Sequence, residues 1–102
     1  MGAPGGAEQT LLFLLRHPLR RELLRLYAAE EGKLSPKELA DYTKKPLSRV
    51  GWHVRVLANK GAVKLVATEP RRGAVEHFYR ATSLVDAVPW GRAALGLGSD
   101  SS

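Results

Sequence analysis

Ser35-Pro36-Lys37-Glu38 constrains this chain more than any other four residues. A serine side chain there can accept the N–H of the third helical residue while Glu38 reaches back to the serine N–H, and proline suits the first helical position. A helix therefore starts at residue 36, with Leu39, Ala40 and Tyr42 as its inward side. Pro46 opens another helix, which runs to about Lys60 before Gly61 stops it. Only Thr43–Lys45 separate the two, so the second helix must fold back across the first.

The helix after Pro46 repeats apolar residues at Leu47, Val50, Val54 and Leu57, which predicts its buried stripe. At about 100° per residue the opposite side carries Ser48, Arg49, Trp52, Arg55 and Asn59. Gly51 falls near the edge of the stripe, where a missing side chain would let a neighbouring helix come close. Upstream, Glu8–Arg16 can form a short helix. Pro18 then starts a second one with Leu19, Leu23, Leu26 and Tyr27 along one side, ended by Gly32. Downstream, Val63–Glu69 and Ala74–Arg80 are β-branched and aromatic, and they flank a loop of Pro70-Arg71-Arg72-Gly73. Thr82–Leu95 is weaker, because Pro89 and Gly91 interrupt its apolar residues.

The expected class is mainly α with a small β-hairpin, in the order α-α-α-α-β-β and a short C-terminal α: a winged helix-turn-helix. The expected organisation is a disordered tail over 1–7, one domain over 8–82, a dimerisation segment over 83–95 and a second tail over 96–102. At 102 residues there is room for one small core.

Charge says what such a fold would meet. Residues 44–80 hold nine Lys/Arg against Glu69 and Glu76, a net +7, whereas residues 1–43 are balanced and the whole chain is +6. A basic helix and a basic hairpin tip suit a polyanionic duplex gripped at two places. Arg49 and Arg55 can each bond a guanine or a phosphate, and Ser48 either a base or a phosphate. Trp52 offers a flat apolar surface to a thymine methyl or a sugar, or else packs against the wing or a partner. His53 beside the stripe suits a phosphate contact or a structural hydrogen bond equally. Arg71 and Arg72 at the tip suit an adjacent minor groove or the phosphates along it. Lys44, Lys45, Lys60 and Lys64 flank the helix as phosphate ligands. Leu11, Leu12 and Leu15, with Leu84, Val88 and Trp90, are expected to meet a second copy.

Other chemistry finds little support. There is no cysteine, and His17, His53 and His77 lack the short spacings of a zinc motif, so neither metal nor cofactor is expected. No nucleophile–base pair or nucleophile elbow is present, and an enzyme is not expected. Leu11–Leu15 is too short to span a membrane and no basic residues precede it, so a cytoplasmic, nucleoid-associated protein is expected.

His17-Pro18-Leu19-Arg20, Leu34-Ser35-Pro36-Lys37-Glu38-Leu39-Ala40, Leu47 through Leu57, and Arg72-Gly73 with Phe78-Tyr79-Arg80 together resemble the ArsR-like winged-helix transcriptional regulators of bacteria and archaea. The resemblance covers roughly residues 10–82. It implies a sequence-reading, double-stranded-DNA-binding homodimer joined through its first and last helices. Two other readings remain at this point: a winged-helix module for an acidic or DNA-mimicking protein partner, and an architectural protein that binds duplex without sequence preference.

Overall fold

Local caps set the helix starts. In the structure, a computed structural model that describes residues 5–30 and 32–98, the order is α1 Gly5–Leu15, α2 Pro18–Ala29, α3 Pro36–Thr43, α4 Leu47–Asn59, β1 Val63–Arg71, β2 Ala74–Ala81 and α5 Gly91–Ala94. This is the predicted order of elements. The capping box is complete: Ser35 Oγ accepts the Glu38 N–H at 3.1 Å and Glu38 Oε1 accepts the Ser35 N–H at 3.0 Å. His17 caps α2, its Nδ1 accepting the Leu19 N–H at 3.2 Å, with Pro18 in the first turn. The turn between α3 and α4 is Lys44–Pro46, with Lys44 in the left-handed region at φ 61°.

Helix α1 begins three residues earlier than its composition suggested. Ala7 packs on the core, Thr10 Oγ1 donates to the Gly6 carbonyl, and Glu8 accepts the Trp90 indole N–H at 3.2 Å. The tail expected over 1–7 is therefore helical from Gly5, and the rest of it lies outside the described residues. At the other end Leu97 packs on the core, so the tail expected from Gly96 does not begin there; 99–102 are outside the described residues. The end of α1 is closed by side chains of α2. Arg20 donates to the carbonyls of Leu14 and Phe13 at 3.0 and 2.9 Å, and Arg21 to that of Leu15 at 2.7 Å. These satisfy carbonyls a helix C-terminus leaves without partners.

The core gathers one side of each helix: Leu11 and Leu14 of α1, Leu23, Leu24 and Tyr27 of α2, Leu39 of α3, and Val50, Val54 and Leu57 of α4. Two expectations fail here. Tyr42 and Leu47 are exposed, not inward. Tyr42 sits in the last turn of an eight-residue helix, and Leu47 is the first residue of α4, turned toward the hairpin. Gly51 is also not a close-packing position, since a β-carbon placed on it meets nothing within 4 Å. A close approach is at Gly91, where a β-carbon would run into the Val85 carbonyl oxygen. That contact holds α5 against the 83–90 turns and lets Val85, Val88 and Leu95 join the core.

Strands β1 and β2 form one antiparallel pair, and Leu34 adds a bridge to Tyr79 through two 2.9 Å bonds. The connection is shorter than the four-residue loop expected. Pro70 pairs with Val75 and Arg71 with Ala74, leaving Arg72-Gly73 as a two-residue turn with φ of 47° and 84°. Such turns need positive φ at both positions to match the strand twist, and proline is tolerated in a strand whose N–H side is open. An extra residue, Val66, breaks the register between Leu65 and Ala67 and bends the hairpin there. Among the described residues, no helix is long and apolar enough to cross a membrane.

Candidate nucleic-acid interface

Helix α4 lies over the core on Val50, Val54 and Leu57, so its other side is left for solvent. Ser48, Trp52, Arg55 and Asn59 are all exposed there, Trp52 at 59%. Their spacing of four, three and four residues keeps them within about 60° of one another on the helix surface. Trp52 therefore projects from this face instead of packing on the wing, one of the two alternatives its sequence left open.

Arg49 and Arg55 leave α4 on different flanks. Arg55 lines a groove of about 430 Å³ between α4 and β2, together with Leu47, Gly51, Val75, His77 and Tyr79. Arg49 lines another, of about 570 Å³, with His17, Pro18, Tyr42, Thr43 and Lys45. Lys44 and Lys45 are exposed in the turn before α4, and Lys64 is exposed at the base of the hairpin. Lys60 is drawn toward α1, its ammonium 4.9 Å from the centre of the Phe13 ring.

His53 leaves the candidate set. Its side is buried at 5% exposure, with its ring 4.2 Å from that of His17. Its Nδ1 has no hydrogen-bond partner among the described residues. Burial, then the neighbouring His17, Arg20 and Arg49, push its pKa below the ordinary 6.5, so it is held neutral. Sequence spacing hid this pairing, because the two histidines meet only when α4 crosses the start of α2.

The wing tip is also more specific than its two arginines suggested. Arg71 pairs with Glu69 at 3.1 Å and with Glu76 at 3.0 Å, so its charge is committed within the hairpin. Arg72 is exposed at the turn and, among the described residues, makes no ion pair. Glu76, 15% exposed as a side chain, also accepts a hydrogen bond from Ser35 Oγ. The residue that caps α3 thus ties the wing to the helix pair. No local pattern announced that link, since Ser35 and Glu76 are 41 residues apart.

The residues expected at a dimer surface divide. Leu11 and Val88 are buried inside this chain, because α1 and the 83–90 turns close over the core, and they have no surface left for a second copy. Leu15, Leu84 and Trp90 are half-buried, whereas Leu12 is 52% exposed. Phe13, not singled out by its sequence, is also exposed, with the Arg20 guanidinium 4.8 Å from its ring centre.

Three core-packed helices, a crossing fourth helix with a polar outer face, and a braced hairpin beside it define a winged helix-turn-helix protein. Solved structures share this fold. HlyU from Vibrio cholerae N16961 is 20% identical, with 95% of this chain and 92% of that chain covered and a TM-score of 0.64. The transcriptional repressor BigR from Xylella fastidiosa is 26% identical, with 88% of this chain and 78% of that one covered and a TM-score of 0.59. No protein-family model matches the chain, and no curated protein matches it by sequence.

Proposed function

We propose that this chain is a transcriptional regulator of the ArsR-like winged-helix kind, a cytoplasmic prokaryotic protein that binds double-stranded DNA sequence-specifically as a homodimer. One observation carries the reading: Ser48, Trp52, Arg55 and Asn59 stand exposed along one line of α4, with Arg72 at the tip of the adjoining wing. A major groove accepts one helix, and such a line of side chains faces its base edges. Arg49, with Lys44 and Lys45 beside it on the other flank, serves as a phosphate ligand. The fold shared with a transcriptional repressor supports the same reading.

Exposed Leu12 and Phe13 on α1 support association with a second copy, and Leu15, Leu84 and Trp90 are half-buried. The Trp90–Glu8 hydrogen bond joins the chain's two ends into one surface. A two-fold dimer would space its recognition helices by about 34 Å and read half-sites about one turn apart.

Gel shifts of genomic fragments against random duplex at two salt concentrations test the proposal. Selective retardation of some fragments is expected. Equal retardation of all would leave an architectural protein, and no shift at about 50 mM salt would leave a protein partner as the ligand. Sedimentation at micromolar concentration tests the dimer, and a monomer there refutes it.

A further inference from the structure

We infer that each half-site read by this chain contains a thymine recognised through its 5-methyl group by Trp52, one or two base steps from a guanine held by Arg55. This rests on the DNA-binding reading above and assigns bases to its recognition face. Trp52 is the largest apolar group on the outer side of α4, and among the described residues no aromatic or cationic group stacks on it. Ser48 and Arg55 stand on either side of it along the helix, each exposed. The indole therefore enters any groove that α4 enters.

In that groove every base presents polar atoms, but only thymine adds a methyl, the one apolar group there that gives an indole face a sizeable contact. Covering a polar edge with an indole face would strip its water without replacing the hydrogen bond. Arg55 supplies the complementary chemistry, since its guanidinium matches the two acceptors of guanine. Three residues of helix advance about 4.5 Å, against about 3.4 Å between successive bases, which sets the two contacts one or two steps apart. Arg49 is also three residues and about 60° from Trp52, but on the other flank, where it lines a groove with Lys45, His17 and Tyr42 away from the wing, so Arg55 on the wing side is the partner in this pairing.

The test starts from duplexes selected by the full chain out of a random-sequence pool. Each thymine of the selected site is then replaced in turn by deoxyuridine, which deletes the methyl and leaves the hydrogen-bonding edge intact. One position per half-site should lose about three- to fivefold in affinity, the size expected for one methyl removed from an apolar contact. That penalty should vanish in Trp52→Ala and persist in Arg55→Ala, whose own signature is a relaxed preference at the neighbouring guanine. Thermal unfolding of Trp52→Ala near that of the unaltered chain verifies that the variant is folded. Deoxyuridine tolerated at every thymine, or a penalty unchanged in Trp52→Ala, overturns the assignment while leaving DNA binding intact. A pool that yields no enriched sequence overturns both the assignment and the sequence-specific reading beneath it.

Discussion

Replacing Ser35 by alanine should damage this protein more than its single hydroxyl suggests. The side chain is fully buried, and its oxygen does two things at once. It accepts the Glu38 N–H at 3.1 Å, capping α3, and it donates to the Glu76 carboxylate on β2. Loss of an N-cap costs about 1 kcal/mol. A hydrogen bond to a charged group contributes about 1.5–3 kcal/mol, here toward the low end, because Glu76 keeps Arg71 and some solvent. The two together give a loss of about 2–3 kcal/mol. For a domain of this size that lowers Tm by roughly 8–24 °C. Urea unfolding followed by tryptophan fluorescence would measure it, with Glu76→Ala and the double variant completing a cycle. A coupling of about 1 kcal/mol or more between the two positions is expected. If Ser35→Ala costs under about 0.5 kcal/mol, or the two substitutions simply add, the brace between wing and helix pair does not carry energy and the reasoning fails.

Three further outcomes follow from particular residues. Gly51→Ala should stabilise the fold by about 1 kcal/mol, because the added methyl meets no atom within 4 Å and alanine suits a helix better; a lower Tm would refute this. Gly91→Ala should destabilise it by about 1–3 kcal/mol, since its β-carbon would strike the Val85 carbonyl, and a denaturation midpoint equal to that of the unaltered chain would show the approach to be looser. His53 is held neutral in the fold but protonates near 6.5 once unfolded, so the unfolded state binds the extra proton as pH falls. Stability should therefore be full above about pH 6.5 and decline below it, by at most about 1.4 kcal/mol per pH unit from this one group. Urea midpoints from pH 7.5 to 5 would show the decline, and His53→Leu should flatten it.

Much of this architecture was written in local signals. The capping box, the prolines at 18, 36 and 46 and the β-branched runs act within a few residues of themselves, and α2, α3, α4 and the hairpin start within a residue of where they put them. The errors lie where tertiary contact decides. Periodicity makes Leu47 part of an apolar stripe, but Leu47 lies on the open groove between α4 and the wing and stays exposed, whereas Val50 of the same turn is buried. Leu11 and Val88 looked like surplus apolar surface until α1 and the C-terminal turns closed over the core. On the candidate site, helix spacing found the line from Ser48 to Asn59 but could not separate the flanks of Arg49 and Arg55. It also misplaced His53, whose angle on the helix falls between the two faces. Arg71 and Arg72 are adjacent in sequence and alike in chemistry; only the hairpin register sets Glu69 and Glu76 beside the first of them.

That register has a consequence for how such a wing can change length. The hairpin is pinned at two levels, by the extra residue Val66 and by the Glu76 link to Ser35, and only Pro70–Val75 extends beyond. Side chains alternate faces along a strand, so one residue added to each strand beyond Glu69 and Glu76 would turn Arg72 to the opposite side. Two added to each would restore its direction and carry it about 7 Å further out. The reach of this arm is therefore stepped: it can lengthen without turning the Arg72 charge about only in whole repeats of the pleat, and every half-step points that charge to the opposite side.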